Sequence, residues 1–159
     1  MRLALFQPDI AANTGAMLRL AACLDVAVDI IGPAGFDMSD RALRRAGLDY
    51  LEHVAIVRHM DFESYLAHRQ EASLAAHAPG RIVLLTTRAP TSHLAFAFRA
   101  DDTIMVGRES AGAPDHVHSL ADARVRVPMR TGLRSLNVAT TAAIVLGEAL
   151  RQTQLWPQT

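Results

Sequence analysis

The sequence predicts one α/β domain, a parallel sheet flanked by helices. Three observations carry that expectation. Short β-rich runs alternate with longer helical patterns, the connections between runs are long enough for helical crossovers, and half of the 159 residues are apolar. No repeat, low-complexity run or charge block divides the chain, so residues 1–159 are read as a single domain with one sizeable core. Strands joined by helical crossovers run parallel, and ligands then bind in the loops at their carboxyl ends.

The elements follow from local pattern. Residues 3–6 are consecutively apolar and stop at Gln7-Pro8-Asp9, a buried strand leading into a turn. Helical spacing then runs over 14–24, with Asn13 or Thr14 able to cap the first free N–H groups. A second strand covers 26–31 and ends at Gly32-Pro33. The helix expected over 40–46 stops at Gly47, a residue suited to the left-handed turn that closes helices. Strand 54–57, helix 62–77, the turn Pro79-Gly80 and strand 82–85 repeat the rhythm. Strand 103–106 runs straight into Gly107, and strand 125–127 is ended by Pro128. The last helix, 138–152, carries Val138, Ala142, Val145, Leu146 and Ala149 at helical spacing. Beyond it, Trp156 either meets a partner chain or covers the edge of its own core.

Charge and cysteine content exclude several classes. Sixteen basic residues, all Arg, balance sixteen Asp and Glu, so no global field holds a polyanion and any nucleic acid has to meet a local Arg patch. The lone cysteine, Cys23, excludes an intrachain disulfide and a cysteine zinc site, which fits a reducing compartment. The apolar run at the amino end is too short for a signal peptide, and no window offers the roughly 18 apolar residues of a membrane helix. A cytoplasmic protein with no membrane partner is therefore expected.

Familiar chemical signatures fail. Neither Gly-x-Gly-x-x-Gly nor a phosphate loop ending in Gly-Lys-Ser/Thr occurs, and the second is impossible without Lys. Around Ser110 a hydrolase elbow would need Gly two residues earlier, where Arg108 stands. His116 and His118 with Asp115 are the one close set of metal-type donors, but two His and an Asp on a polar surface seldom hold an ion, and no metal is expected.

Three segments remain, each with small residues directly after a strand, where backbone can approach a ligand. The first, 8–19, carries Asn13, Thr14, Gly15 and then Arg19, a cation able to reach a cleft at the strand ends. The second is Gly107-Arg108-Glu109-Ser110-Ala111-Gly112-Ala113-Pro114, in which Gly107 permits a sharp turn and Pro114 suits a helix start. The third, 124–137, packs Arg124, Arg126, Arg130 and Arg134 into eleven residues without an acid, a basic patch that the net charge hides. The plainer reading pairs each of these Arg with one of the abundant Asp residues.

In this order, Asn13-Thr14-Gly15 with Arg19, Gly107-x-Glu109-x-x-Gly112-x-Pro114, and Val127-Pro128-Met129 with Arg134-Ser135-Leu136-Asn137 resemble the three motifs of the SPOUT-superfamily RNA 2′-O-methyltransferases. Agreement at Pro33-Ala34-Gly35-Phe36, at residues 44–50 and at Leu85-Thr86-Thr87 extends the likeness over nearly the whole chain. Within the superfamily the chain is most similar to the small tRNA (cytidine/uridine-2′-O)-methyltransferases that carry no extra RNA-binding domain. The resemblance implies a carboxyl-terminal trefoil knot, a rare exception to unknotted folding. It implies S-adenosyl-L-methionine held there by Leu85, Thr86, Gly107, Val127, Met129, Ser135 and Leu136. It further implies a homodimer in which Arg19 projects towards the partner's cofactor, a tRNA partner, and methylation of a ribose 2′-hydroxyl. The target would be the wobble nucleotide, C or U at tRNA position 34, of leucine tRNAs.

On that resemblance Arg19 would hold the neighbouring phosphate and steady the developing oxygen charge, while Glu109 and Asn137 orient the ribose and the loops. Arg41, Arg44, Arg45, Arg126, Arg130 and Arg134 are the candidate RNA contacts, with Tyr50 or a His as a stacking platform for anticodon bases. Where the family's second motif reads Gly-Pro-Glu-Thr-Arg-Gly-Leu-Pro, this chain has Arg108, Ser110, Ala111 and Ala113 at the varied places. The same residues also admit a methyltransferase for another tRNA or rRNA site, or an RNA-binding relative without turnover. A flavodoxin-like regulatory domain would leave the third segment unexplained.

Overall fold

A computed structural model describes residues 1–39, 50–74 and 80–158. Seven strands, β1 (Arg2–Phe6), β2 (Ala27–Ile31), β3 (Ile56–His59), β4 (Ile82–Leu85), β5 (Thr91–Ser92), β6 (Thr103–Val106) and β7 (Ala123–Arg126), form one sheet in the order β3-β2-β1-β6-β4-β7-β5. Every pairing is parallel. The helices are α1 (Ala11–Cys23), α2 (Phe62–Leu74), α3 (Asp115–Leu120) and α4 (Val138–Thr153). This is the α/β class, with parallel sheet and flanking helices, that the alternating pattern predicts.

Successive strand residues point to opposite faces, and two apolar layers result. Leu3, Leu5, Val28, Ile30, Ile104 and Val106 pack with Met17, Leu18 and Ala21 of α1 and with Ala142, Val145, Leu146 and Ala149 of α4. Ala4, Phe6, Ile31, Leu84 and Met105 pack with Phe62 and Tyr65 of α2 and Val117 of α3. The central strands are covered on both faces, which is why they read as unbroken apolar runs. Two buried acids lie among them, Asp29 within β2 and Asp102 just before β6, each bonded to Arg. Asp29 accepts from Arg2 Nε at 2.6 Å and Nη2 at 2.9 Å and lies 2.9 Å from His59 Nε2. Burial alone would raise its pKa, yet these partners hold the carboxyl below its ordinary value. Asp102 takes two hydrogen bonds from Arg81, at 2.9 and 2.8 Å.

Several expectations shift. Helix α1 starts at Ala11 with Ile10 as its N-cap and no side-chain cap, so neither Asn13 nor Thr14 caps it. Both already lie inside the first turn, where their N–H groups bond to the Ile10 carbonyl, and Thr14 Oγ1 turns back to the same oxygen. Strand β3 lies two residues later than expected because its end is held by a polar contact, His59 to Asp29. Strand β5 and helix α3 escape pattern reading. The first is two residues long, and the second is six, too short to show a period, although Pro114 does open it. The helix expected over 40–46, with Gly47, falls outside the described residues, as does 75–77 of the helix expected to end at 77.

The order β4-β7-β5 has a topological consequence. Val125 of β7 is opposite Leu85 on one side and Thr91 on the other, so the connection 86–90 straddles the carboxyl end of β7. Thr86 N–H donates to the Val125 carbonyl at 3.0 Å. The chain that leaves β7 towards α4 therefore departs beside this connection, one strand in from the sheet edge, where the third basic segment begins.

Candidate active site

The carboxyl ends of β4, β6 and β7 and the starts of α1 and α4 surround an open cavity of about 640 Å³. The seven residues expected to hold a cofactor, Leu85, Thr86, Gly107, Val127, Met129, Ser135 and Leu136, all line it. So do Glu109, Asn137, Arg126 and Arg134. Arg19 and Arg130 do not, and Arg41, Arg44 and Arg45 fall outside the described residues.

Gly107 is there for space. A Cβ on it would stand 2.5 Å from the Ala113 nitrogen and 2.6 Å from the Gly112 carbonyl carbon, both backbone atoms that a side chain cannot push aside. The loop folds back on itself through Arg108 N–H to Gly112 O (3.1 Å) and Gly112 N–H to Arg108 O (2.8 Å). Gly112, at φ +69°, supplies the left-handed residue that closes it.

This loop is tied to the first segment by reciprocal bonds. Asp9 N–H donates to Glu109 Oε2 at 2.9 Å, Glu109 N–H donates to Asp9 Oδ1 at 3.0 Å, and Ser110 Oγ donates to Asp9 Oδ2. Hydrogen bonding to Glu109, then to Ser110, draws the Asp9 pKa down to about 2. Burial and the neighbouring Asp9 push that of Glu109 up. Glu109 Oε1 is buried without a hydrogen-bond partner among the described residues, an acceptor left over at the cavity wall. Arg108, one of the departures in the second segment, turns towards Gln7 Oε1 (3.4 Å) and Asp9 (3.9 Å).

Asn137 joins the first and third segments. Its Oδ1 accepts from Ala139 N–H (2.9 Å) and Thr140 N–H (3.2 Å), capping α4, and its Nδ2 donates to Asn13 Oδ1 at 2.9 Å. Arg19 is exposed on α1, with its guanidinium 4.8 Å from the centre of the Tyr50 ring and Nη2 3.4 Å from the Tyr50 hydroxyl. Tyr50 thus backs Arg19. The expected pairing of the basic segment with Asp does not occur among the described residues. Arg124, Arg126, Arg130 and Arg134 make no ion pair with the described residues, whereas Arg2, Arg81, Arg88, Arg108 and Arg151 all do.

The metal-type set disperses. His116 sits against the Phe6 and Phe62 rings, His118 is buried, and Asp115 bridges to Arg88 at 2.9 Å. No group of three metal-type donors occurs among the described residues. Sequence reasoning missed Asp9 and the carboxamide of Asn13. The available signal was an acid and an amide in the loop after β1, where small residues already marked a ligand-side turn.

A family model described as the SpoU rRNA methylase family matches residues 1–147. The chain belongs to that family. A SpoU relative from Beijerinckia indica, a tRNA (cytidine(34)-2′-O)-methyltransferase, is 55% identical over 150 residues, covering 94% of this chain and 90% of its own. A structure from work on 2-OH methylation of C/U34 on tRNA superposes with TM-score 0.84 at 34% identity, over 95% of this chain and 94% of that one. The SpoU methyltransferase AviRb from Streptomyces viridochromogenes, in complex with AdoMet, gives TM-score 0.85 at 27% identity, over 96% of this chain and 60% of that one. Among the described residues of this SpoU-family chain, no helix is long and apolar enough to cross a membrane.

Proposed function

We propose that this protein transfers a methyl group from S-adenosyl-L-methionine to the ribose 2′-hydroxyl of the tRNA wobble nucleotide, C or U at position 34, in leucine tRNAs. The observation that carries the reading is the meeting of all three sequence segments around one cavity, in a chain whose relatives are named tRNA (cytidine(34)-2′-O)-methyltransferases. The residues fit the cofactor. The cavity is within the ~300–1,000 Å³ range of small-molecule sites. Leu85, Val127, Met129 and Leu136 offer apolar walls for a purine, Thr86 and Ser135 offer hydroxyls, and Glu109 Oε1 offers an unused acceptor.

S-adenosyl-L-methionine supplies a methyl group on a positively charged sulfur. The protein's task is then alignment and charge. For transfer the 2′-oxygen would lie in line behind the methyl and develop negative charge as its proton passes to solvent water. The guanidinium of Arg19 stabilises that charge and holds the adjacent phosphate with its fork of donors. Asn137 and Glu109 fix the loops and the ribose through the bonds to Asn13 and Asp9. Because Arg19 does not line its own chain's cavity, we assign it to the cavity of a second copy. Ile144 on α4, with Leu155 and Trp156 beyond it, are exposed apolar residues suited to that contact. A cytoplasmic homodimer, a single domain spanning 1–159 and a knot threaded where 86–90 straddles β7 complete the proposal.

Incubation with S-adenosyl-L-methionine and total tRNA lacking the mark, followed by nucleoside mass spectrometry, tests it. The expected gain is 2′-O-methylcytidine and 2′-O-methyluridine. A methyl group found only on bases, or none at all, rejects it.

A further inference from the structure

The basic segment extends beyond this cavity. Arg124 and Arg126 are two residues apart in β7, so their side chains leave the same face of the sheet, about 7 Å apart along the strand. Arg126 lines the main cavity, whereas Arg124 lines a second, open one of about 410 Å³ together with Arg88, Asp115 and His118. Arg88 and His118 line both, so the two cavities share a wall.

Positive charge in the second cavity is poorly compensated. Arg124 has no ion pair with the described residues. Arg88 has one acid, Asp115 at 2.9 Å, and the two side chains are 60% and 90% exposed, where water weakens the pairing. Behind them His118 has its pKa lowered by burial and then by the charges of Arg88 and Arg124, which places both guanidiniums within electrostatic reach of one ring. Two forked donors lining one cavity beside a site for ribose chemistry, with a single exposed acid loosely held on Arg88, match a phosphodiester better than a carboxylate.

We infer that Arg124 and Arg88 form a phosphodiester-binding subsite for the tRNA strand that continues from the nucleotide being methylated, with Asp115 as an internal competitor that RNA displaces from Arg88. The inference rests on the function proposed above. It gives the balanced charge of the chain a purpose: a single exposed acid limits non-productive binding of other polyanions, and the correct strand exchanges it for phosphate.

The test uses the full-length protein, total tRNA lacking the mark, and calorimetry for S-adenosyl-L-methionine. Arg124→Gln raises the KM for tRNA about 5- to 10-fold and lowers the slope of log affinity against log salt by about 1, with kcat and cofactor affinity unchanged. Arg99→Gln removes the same charge from the loop before β6, at the opposite end of the sheet, and changes none of these. Asp115→Asn frees Arg88 and tightens tRNA binding about two- to threefold, a gain that a damaged fold does not produce. Inorganic phosphate competes with tRNA for the wild type and loses that effect in Arg124→Gln. The inference is overturned if Arg124→Gln behaves like Arg99→Gln, if Asp115→Asn leaves tRNA affinity unchanged, or if phosphate binds without displacing tRNA, which would mark a free-anion site. Failure of the wild type to bind or methylate any tRNA overturns the function proposal along with it.

Discussion

Asn137 has two contacts that a pair of substitutions separates. Asn137→Ala removes both the cap on Ala139 and Thr140 and the donor to Asn13. Losing a cap costs about 1 kcal/mol, and losing a neutral hydrogen bond in an exposed setting adds about 0.5 kcal/mol. For a domain of this size the sum lowers Tm by about 3–6 °C. Asn137→Ser keeps an oxygen that can cap α4 but is too short to reach Asn13, so about 1–2 °C is lost. If the bridge between first and third segments sets the cavity, both variants lose at least about tenfold in turnover, equivalent to about 1.4 kcal/mol in the transition state. Thermal melts and initial rates of methyl transfer, measured on the same preparations, read the two effects separately. Wild-type turnover in Asn137→Ser would refute the bridge and leave Asn137 as a helix cap only.

Three further outcomes are expected. Arg19→Lys loses most turnover while calorimetric affinity for S-adenosyl-L-methionine stays within about twofold, because a fork is replaced by a point charge at a residue that does not line its own cavity. Gly107→Ala forces a Cβ into the backbone of Gly112 and Ala113, costs about 1–3 kcal/mol in urea unfolding, and weakens cofactor binding in calorimetry. Asp29→Ala leaves Arg2 and His59 facing an empty acceptor and costs about 3–5 kcal/mol at neutral pH. The folded-state pKa of Asp29 is depressed, so the wild type's advantage is present above the unfolded carboxylate value of about 3.9 and is lost as pH falls through the lower folded value. Urea midpoints of the two proteins should therefore converge below about pH 4.

The sheet was legible because its central strands are buried on both faces. β4 and β6 lie where unbroken apolar runs placed them, at Ile82–Leu85 and Thr103–Val106. Pattern failed where polar contacts hold an element in place, as at His59 in β3, or where an element is too short to have a period, as in β5 and α3. The cavity was legible as a set of post-strand loops, and the likeness to a known family selected the residues that line it. What stayed hidden was the wiring between segments a hundred residues apart. Asp9 to Glu109 and Asn13 to Asn137 are long-range bonds with no local signature. The Arg-rich segment was legible as a charge pattern, but only the fold shows that none of its four Arg is paired among the described residues, which separates a solvated loop from a surface open to phosphate.

The central claim is ribose methylation at one nucleotide. A leucine tRNA assembled from two pieces, so that residue 34 carries either ribose or 2′-deoxyribose, tests it with radiolabelled S-adenosyl-L-methionine. The account predicts methyl incorporation into the ribose form and none into the deoxyribose form. Equal incorporation into both would place the methyl group elsewhere and contradict it.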